Sequence, residues 1–385
     1  MRRHTKRILK RLFVAFATAA VAFPIMRGST IFMDKLGEET MMSDNNPTVN
    51  SKLAYNATKE IFARRAQRIK TCPNRPNLFD RSHYRIEKQF VWGVSTGKVP
   101  FFSCSVPKAA SISMTTVLLV ATGETKWGEK GEPNVITNDM FHTAQKNMRS
   151  IATLPNQKEG MAFDSPFVSL MFVREPMDRL VSAWKDKINR RTHQIGREYE
   201  REYYYTHHIM SMLLFQGKNF GTNSITVNNM NIITGGGVID ENTCSWDPLE
   251  AWDQGCRVSF KDFIRWLADG NEEEDEHWAP VVKLCAVCQA GYDFIGHAEH
   301  YNEDIQVAAK LLNIDPSVIP DMSDPKYEQI NNHFAAKNPF DKSKKKTTEE
   351  MFADVPINTL RIIRSIYLLD YETLSYDMPE WLENA

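Results

Sequence analysis

Residues 167–184, FVSLMFVREPMDRLVSAW, decide the fold of this chain. An apolar run ends at Arg174, and Pro176 then stands where the first turn of a helix tolerates proline. Residues 101–114, FFSCSVPKAASISM, repeat the pattern, with a short strand, a proline turn and a helix that continues over residues 115–121. Two such strand–turn–helix units predict a three-layer α/β domain with a central, mostly parallel sheet and a ligand at the strand ends.

The turn of the first unit suits a phosphate group. The helix that follows it offers unpaired backbone N–H groups and the positive end of the helix dipole. Lys108 adds a mobile positive charge, and Ser111 and Ser113 add hydroxyl donors. The turn lacks the glycines and the Gly-Lys-Ser/Thr ending of a nucleoside triphosphate loop, which predicts a different phosphorylated nucleotide. Taken alone, the Pro107-Lys108 pair fits a solvated lysine after a strand better than a phosphate site.

The second unit supplies an anchor for a terminal phosphate. Arg174 lies at the strand end, and Ser182 follows eight residues later, where the helix points it toward the same side. A guanidinium together with a hydroxyl binds phosphate well. The alternative is an ordinary helix on which Arg174 or Arg179 pairs with Glu175 or Asp178. Both units together make a nucleotide-dependent transferase the leading interpretation.

Both units resemble those of the Golgi carbohydrate sulfotransferases. Residues 106–111 resemble the 5′-phosphosulfate loop of that family, and residues 172–187 resemble its 3′-phosphate element. The likeness is strongest to the chondroitin/dermatan 4-O and HNK-1 sulfotransferases and weaker to heparan 2-O-sulfotransferase. Further blocks match in family order, which extends the resemblance over residues 90–376: VSFKDF at 258–263, HWAP at 277–280 with YDFIG at 292–296, and IYLLDY at 366–371.

The resemblance implies transfer of a sulfuryl group from 3′-phosphoadenosine 5′-phosphosulfate (PAPS) to a glycan hydroxyl, on a P-loop-like fold and without a metal. The expected position is the 4-hydroxyl of N-acetylgalactosamine in chondroitin-type chains. By position, Lys108 would hold the 5′-phosphosulfate and stabilise charge on the leaving phosphate. Arg174 and Ser182 would bind the 3′-phosphate. The loop residues whose backbone amides would cradle the donor are Ala109, Ala110, Ser111, Ile112 and Ser113.

Two positions depart from the family pattern. Family loops carry Thr or Ser where this chain has Ile112, and Trp where it has Met114. The loss of a hydroxyl at Ile112 leaves open a catalytically weak enzyme or an inactive lumenal glycan-binding homologue. A small-molecule kinase is a further alternative, which is disfavoured because the Gly-Lys-Ser/Thr ending and an acidic magnesium-binding strand end are missing.

A base must take the proton of the acceptor hydroxyl, and histidine is the usual choice near neutral pH. His142 is favoured, because family members also place a histidine between the two units. His277 is the alternative, in a His-Trp-x-Pro block that could instead order the acceptor loop and contact the substrate. Basic residues after the second unit are predicted to bind an anionic glycan, namely Lys187, Arg190 and Arg191.

The N-terminal region predicts the compartment. Residues 1–11 are strongly basic and precede an apolar run at residues 12–26. This order fits a short membrane anchor with a cytoplasmic tail, and the family resemblance implies a type II signal anchor in the Golgi membrane, a lumenal stem at 27–80 and a catalytic domain at 81–385. A cleaved signal peptide, and therefore secretion, is the alternative. Asn56 begins an N-glycosylation sequon within the stem.

Composition fits one lumenal catalytic domain. The 385 residues, 42% of them hydrophobic, can bury a full core, and a net charge of −1 gives no overall attraction to nucleic acid. Six cysteines predict structural disulfides, but the sequence fixes neither their pairing nor the oligomeric state. Cys104, inside the first strand, is expected to be a buried thiol. The acidic run at residues 272–276 is expected to be a loop.

Overall fold

The computed structural model describes most of the chain from residue 56 onward. The predicted tail, the predicted anchor and His142, Arg190 and Arg191 all lie outside the described residues. The described ranges are 56–72, 90–123, 168–189, 202–220, 225–227, 230–232, 243–319 and 346–385.

The main sheet has four strands and is rich in parallel pairs. The strands of the described residues are β1 Phe90–Val94, β2 Pro100–Cys104, β3 Val168–Val173, β4 Asn219–Phe220, β5 Ile225–Val227, β6 Met230–Ile232, β7 Thr243–Cys244 and β8 Phe294–His297. The main sheet has the order β1-β2-β3-β8, with β1 antiparallel to β2 and the other two pairs parallel. β4 pairs with β7, and β5 pairs with β6. The prediction of a mixed α/β domain with a mostly parallel sheet is confirmed.

Helices precede, separate and follow the strands of this sheet along the chain, and they make up most of the remaining described structure. The predicted helix over residues 115–121 is confirmed as part of α2, and the predicted helix that begins at Pro176 is α3. Of the helices that the structure describes, none is long and apolar enough to cross a membrane. The α-helices are α1 Ala57–Thr71, α2 Ser111–Ala121, α3 Pro176–Ala183, α4 Met210–Phe215, α5 Pro248–Asp253, α6 Phe260–Trp266, α7 Val281–Leu284, α8 Val287–Ala290, α9 Tyr301–Leu311, α10 Thr348–Phe352, α11 Ile357–Leu374 and α12 Glu380–Glu383. Single π-helical turns cover Trp184–Ile188, Tyr205–Ile209 and Leu267–Asn271, and 3₁₀ turns cover Ala298–His300 and Pro316–Val318.

Apolar side chains cover both faces of the main sheet. Successive residues of a strand point to opposite faces. Leu170 and Phe172 of β3 therefore join a cluster with α2 and α9, whereas Met171 and Val173 join another that includes residues of α7 and α11. All six residues of β3 are buried, which explains why apolar residues occupy both of its faces; the one polar residue, Ser169, donates to Asp293.

A third, mainly helical cluster lies against the end of the second strand–turn–helix unit. It joins side chains of α3, α4, α6 and α11 around the fully buried Trp278 and Tyr367. Trp278 belongs to the His-Trp-x-Pro block, and Tyr367 to the block at 366–371. Two of the sequence blocks therefore meet in the core that supports α3.

α1 packs on the folded domain, although the sequence assigns it to a stem. Ile61 is buried in the cluster that also contains α2 and α9. Arg64 Nη1 lies 2.6 Å from Asp304 Oδ2 in an ion pair that is almost completely buried. Cys72, directly after α1, is disulfide-bonded to Cys288. Residues 57–72, which belong to the predicted stem, are therefore packed on the folded domain.

All six cysteines form disulfides. The pairs are Cys72–Cys288, Cys104–Cys285 and Cys244–Cys256. The prediction of structural disulfides is confirmed, but the expectation that Cys104 is a buried thiol is wrong. Cys104 at the end of β2 and Cys285 after α7 lie in the same apolar cluster, which brings their sulfur atoms together. Cys285 and Cys288, which are three residues apart, therefore form disulfides with two different and distant parts of the chain.

Candidate active site

Residues 105–110, which we call the β2–α2 loop, have an uncommon backbone geometry. Lys108 and Ala110 have φ values of 68° and 57°. This left-handed region costs a residue with a Cβ about 1–2 kcal/mol. Ala110 is the N-cap of α2 and makes no side-chain cap, so the first backbone N–H groups of α2 have no helical acceptor. Backbone strain at the N-terminus of a helix of 11 residues is typical of a functional, anion-binding turn.

β3 leads into α3 at the same edge of the sheet. Glu175 N-caps α3 by accepting a hydrogen bond from the Asp178 N–H at 2.5 Å, and Pro176 occupies the first turn as predicted. β2 and β3 are adjacent and parallel, so the residues that follow them emerge side by side. Arg174 therefore lies at the same sheet edge as Lys108.

Several charged groups meet at this edge. Lys108 Nζ lies 2.9 Å from Asp186 Oδ2, and Lys187 Nζ lies 3.7 Å from the same oxygen. Burial lowers the pKa of Lys108, the charges of Lys187 and Arg174 act in the same direction, and Asp186 opposes them. Asp186 lies on the π-helical turn after α3. Its carboxylate partly neutralises a group of cations that would otherwise repel one another.

The structure distinguishes the two departures from the family pattern. Met114 is buried in the cluster that contains Leu170 and Phe172, so it is a core residue. Ile112 lies in the first turn of α2, where its backbone contributes to the N-terminal end of that helix. Ser182 is half-buried on α3.

Arg179 connects the β2–α2 loop to the segment 276–279. Its Nε donates to the Pro107 carbonyl at 3.1 Å, its Nη1 to Ala279 at 2.7 Å and its Nη2 to Glu276 at 2.8 Å. The residue is only 1% exposed. The alternative interpretation, in which Arg179 pairs with Glu175 or Asp178, does not account for these contacts. Arg179 donates to three backbone carbonyls on two separate segments.

The block at 366–371 supports the same region from α11. Asp370 accepts hydrogen bonds from the N–H groups of Val281 and Val282, at 2.8 and 2.9 Å, and so caps the start of α7. Tyr371 donates to the Glu175 carboxylate that caps α3. Burial raises the pKa of Asp370 to about 6, although both backbone N–H groups act to lower it. The block thus holds the starts of two helices that border the site.

His277 belongs to a hydrogen-bonded group of polar side chains. Its Nδ1 lies 2.7 Å from Asp275 Oδ1 and 2.9 Å from the Tyr204 hydroxyl oxygen. Its backbone N–H also donates to Asp275 Oδ1 at 2.9 Å, which fixes the ring relative to the carboxylate. Asp275 is 5% exposed, whereas the side chain of His277 retains 15% exposure.

A second histidine borders the other oxygen of Asp275. His208 Nε2 lies 3.6 Å from Asp275 Oδ2, and the buried ring packs edge-on against Trp278 with centroids 5.1 Å apart. Burial lowers the pKa of His208 to about 4, although Asp275 opposes this shift. Burial acts to raise the pKa of Asp275, but the charge and hydrogen bonds of His277, with a contribution from His208, lower it on balance. Asp275 is therefore ionised and His208 is neutral near pH 7.

The structure brings some of the sequence candidates together and gives others a different setting. Lys108 and Arg174 share one sheet edge, and Arg179 links the His277 segment to that edge. Lys187, expected to contact a glycan, lies with its Nζ 3.7 Å from Asp186 Oδ2 and 5.0 Å from the centroid of the Tyr204 ring.

Sequence reasoning missed the acidic and aromatic partners in this site. Asp186 is flanked by two lysines, and Asp275 lies in the run that was expected to be a loop, two residues before His277. The loop itself is confirmed, because residues 272–276 form turns. Within the ranges described above, no group of three or more His, Cys, Asp or Glu side chains is arranged to hold a metal ion. The sequon residue Asn56 is exposed and caps α1 by accepting from the Lys59 N–H at 3.1 Å.

Comparison with known proteins gives a match over most of this structure. A family model described as "Sulfotransferase family" matches residues 94–377. Carbohydrate sulfotransferase 12 of Mus musculus is 26% identical over 220 residues, which are 56% of this chain and 41% of that protein. Carbohydrate sulfotransferase 11 of Rattus norvegicus is 23% identical over 284 residues, which are 73% of this chain and 65% of that protein. Carbohydrate sulfotransferase 9 of Homo sapiens is 24% identical over 278 residues, 72% of this chain and 51% of that protein.

The matched part of this chain thus spans less than two thirds of the length of these relatives. No solved structure matches the chain.

Proposed function

The chain belongs to the sulfotransferase family, and from this premise we propose that it transfers a sulfuryl group from PAPS to a hydroxyl group of a glycan. One observation carries the proposal. Two strand–turn–helix units stand next to each other, so that Lys108 and Arg174 lie at one edge of a parallel pair of strands. Two cations on adjacent turns match a donor that carries a phosphosulfate at one end and a phosphate at the other.

The donor would lie across both turns of a P-loop-like, three-layer domain. The strained β2–α2 loop and the uncapped N–H groups of α2 would surround the 5′-phosphosulfate, with Lys108 as its cation. Arg174 and Ser182 would bind the 3′-phosphate through a charged hydrogen bond and a hydroxyl. Asp186 would release Lys108 as the anionic donor arrives, because both compete for the same ammonium group.

The reaction would be an in-line displacement at sulfur. The acceptor oxygen forms a bond to sulfur while the bond from sulfur to the bridging phosphate oxygen breaks. The electron pair of that bond remains on 3′-phosphoadenosine 5′-phosphate, and the hydroxyl proton goes to a base. Lys108 would stabilise the negative charge that grows on the leaving phosphate, so that positioning and electrostatics supply most of the acceleration.

The acceptor class is proposed from the relatives and from the basic residues near the site. The relatives are named carbohydrate sulfotransferases, which supports a glycan acceptor. The 4-hydroxyl of N-acetylgalactosamine in chondroitin-type chains remains our proposed position. We further propose that residues 12–26 anchor the chain in the Golgi membrane, with residues 1–11 cytoplasmic, the catalytic domain in the lumen and Asn56 glycosylated.

Nucleotide binding gives the first test. Thermal unfolding of the intact chain should shift strongly with 3′,5′-ADP and weakly with 5′-AMP, because only the former carries the 3′-phosphate. Arg174→Ala should remove the difference, since a charged hydrogen bond contributes about 1.5–3 kcal/mol. Arg361→Ala, an exposed arginine on α11, is the matched control. Equal stabilisation by both nucleotides in the unchanged protein would refute the donor assignment, and preferential stabilisation by ATP would favour the kinase alternative.

Sulfate transfer gives the second test. The intact protein, supplied with radiolabelled PAPS, should sulfate desulfated chondroitin, and disaccharide analysis should find 4-O-sulfated N-acetylgalactosamine. Lys108→Ala should lower kcat more than it weakens 3′,5′-ADP binding, because its contribution grows as the phosphate leaves. Transfer to heparan alone would reject the acceptor. Binding of 3′,5′-ADP without transfer to chondroitin, dermatan or heparan would favour the inactive glycan-binding homologue.

A further inference from the structure

We propose that His277 accepts the proton of the acceptor hydroxyl and that Asp275 is the positioning residue that holds its ring for this step. The inference rests on the proposed sulfotransferase function and deepens it. It starts from a geometry that is common where imidazole works as a base. A buried carboxylate binds one ring nitrogen, and the ring keeps partial access to solvent.

The contacts of the ring determine which nitrogen can act. A carboxylate only accepts hydrogen bonds, so Nδ1, at 2.7 Å from Asp275 Oδ1, must carry the proton. The lone pair then resides on Nε2. The described hydrogen-bond contacts of this ring both involve Nδ1, which donates to Asp275 Oδ1 and lies 2.9 Å from the Tyr204 hydroxyl oxygen. Nε2 is therefore the atom that an acceptor hydroxyl would meet.

Covalent neighbours and side-chain contacts place this ring beside the proposed donor site. Arg179 donates to Glu276 and Ala279 on either side of His277, and also to Pro107, which precedes Lys108. One guanidinium thus spans the two segments. A second connection runs through the π-helical turn after α3. Its Lys187 contacts Asp186, the partner of Lys108, and also lies over the Tyr204 ring.

The charged and titratable groups around the ring come from three elements. Asp275 lies in the turn that precedes His277, and Tyr204 and His208 come from the helical segment around Tyr205–Ile209. Lys187 lies beyond the Tyr204 ring on the turn after α3. Since His208 is deeply buried and neutral near pH 7, it is poorly placed to take a proton from a substrate. The ionised Asp275 instead favours the imidazolium that His277 becomes after proton transfer.

The experiment compares kcat and kcat/KM against pH for the intact protein and four variants, with PAPS and desulfated chondroitin. His277→Ala should lower kcat by about 100-fold or more, which is the usual contribution of a general base. Asp275→Asn should lower kcat by about 10-fold or more, because an amide group can bind the wrong tautomer of the ring. His207→Ala, an exposed histidine near the same turn, is the control. His142→Ala tests the candidate that the sequence favours.

The pH profile separates a base from a structural histidine. kcat/KM of the unchanged protein should fall as the pH is lowered, because a protonated imidazole accepts no proton. This acid limb should disappear in His277→Ala, whereas Asp275→Asn should show its effect as a lower kcat. Added imidazole should restore part of the activity of His277→Ala. All four variants should bind 3′,5′-ADP as the unchanged protein does.

Three results would overturn the inference while leaving the proposed function intact. The acid limb persists in His277→Ala, or it disappears in His142→Ala instead, or Asp275→Asn loses thermal stability but keeps its kcat. By contrast, a protein that fails to distinguish 3′,5′-ADP from 5′-AMP and transfers no sulfate would refute the proposed function itself.

Discussion

Arg179→Lys tests whether one guanidinium holds the β2–α2 loop against the segment 276–279. The substitution keeps the positive charge but replaces a planar group with five N–H donors by a single ammonium group. Three carbonyls now receive hydrogen bonds from three different nitrogens of this side chain, at 3.1, 2.7 and 2.8 Å. A single ammonium on a straight stem cannot reproduce that spread.

The expected loss follows from these contacts. Because Arg179 is 1% exposed, water cannot readily replace a missing donor. Losing two of the three hydrogen bonds at about 1–2 kcal/mol each lowers the unfolding free energy by about 2–4 kcal/mol. This corresponds to a fall in Tm of about 4–16 °C, at about 2–4 °C per kcal/mol for a domain of this size. Since Pro107 adjoins Lys108, kcat should also fall by about 10-fold or more through misplacement of the loop.

The assay is thermal unfolding with and without 3′,5′-ADP, followed by sulfate transfer measured well below the Tm of the variant. Arg361→Lys is the control, because this exposed arginine contacts only a neighbouring turn of its own helix among the described residues. A variant at Arg179 with the Tm and kcat of the control would refute the argument. A lowered Tm with unchanged kcat would show that Arg179 stabilises the fold without positioning the loop.

Three further predictions use other contacts. Asp186→Asn should tighten 3′,5′-ADP binding about two- to fivefold in calorimetry, since the competing ion pair with Lys108 is worth about 0.5–1 kcal/mol; weaker binding would show that Asp186 positions the lysine. Replacing both Cys104 and Cys285 by Ser opens a loop of 181 residues and should lower the unfolding free energy by about 2–5 kcal/mol in denaturant; an unchanged midpoint would contradict this. Because burial raises the pKa of Asp370 to about 6, the folded state binds its proton more tightly than the unfolded state does. The free energy of unfolding should therefore fall as the pH rises from about 4 to 6. Asp370→Asn should lack that component, and parallel pH curves would refute it.

Local sequence patterns were sufficient to predict the two strand–turn–helix units. β3 is apolar at every position except Ser169 because both of its faces are buried, and Pro176 stands at the start of α3. Such signals depend only on residues that are neighbours in the sequence, so they can be recognised without knowledge of the fold. Lys108 and Arg174 could be placed at one edge for the same reason, because parallel neighbouring strands end together.

Features that depend on distant partners could not be predicted in the same way. α1 contains three buried arginines, and one of them pairs with Asp304 more than two hundred residues away. Its polar composition therefore suggested a solvated stem, when a buried ion pair allows it to pack. Asp275 stands in an acidic run that fits a solvated loop, and only the fold shows that it turns inward to His277. Cys104 looked like a core thiol because its partner, Cys285, lies on a turn that no local pattern brings near.

The pairing of Cys285 and Cys288 with distant partners also sets an order of events during synthesis. Cys72 and Cys104 leave the ribosome first, and their partners follow 216 and 181 residues later. At about 5–20 residues per second, the nascent chain waits roughly 10–40 s before Cys285 appears. During that interval, the early cysteines can oxidise with each other before either native partner exists. We therefore expect expression without a catalyst of disulfide exchange to leave part of the protein with Cys72 joined to Cys104.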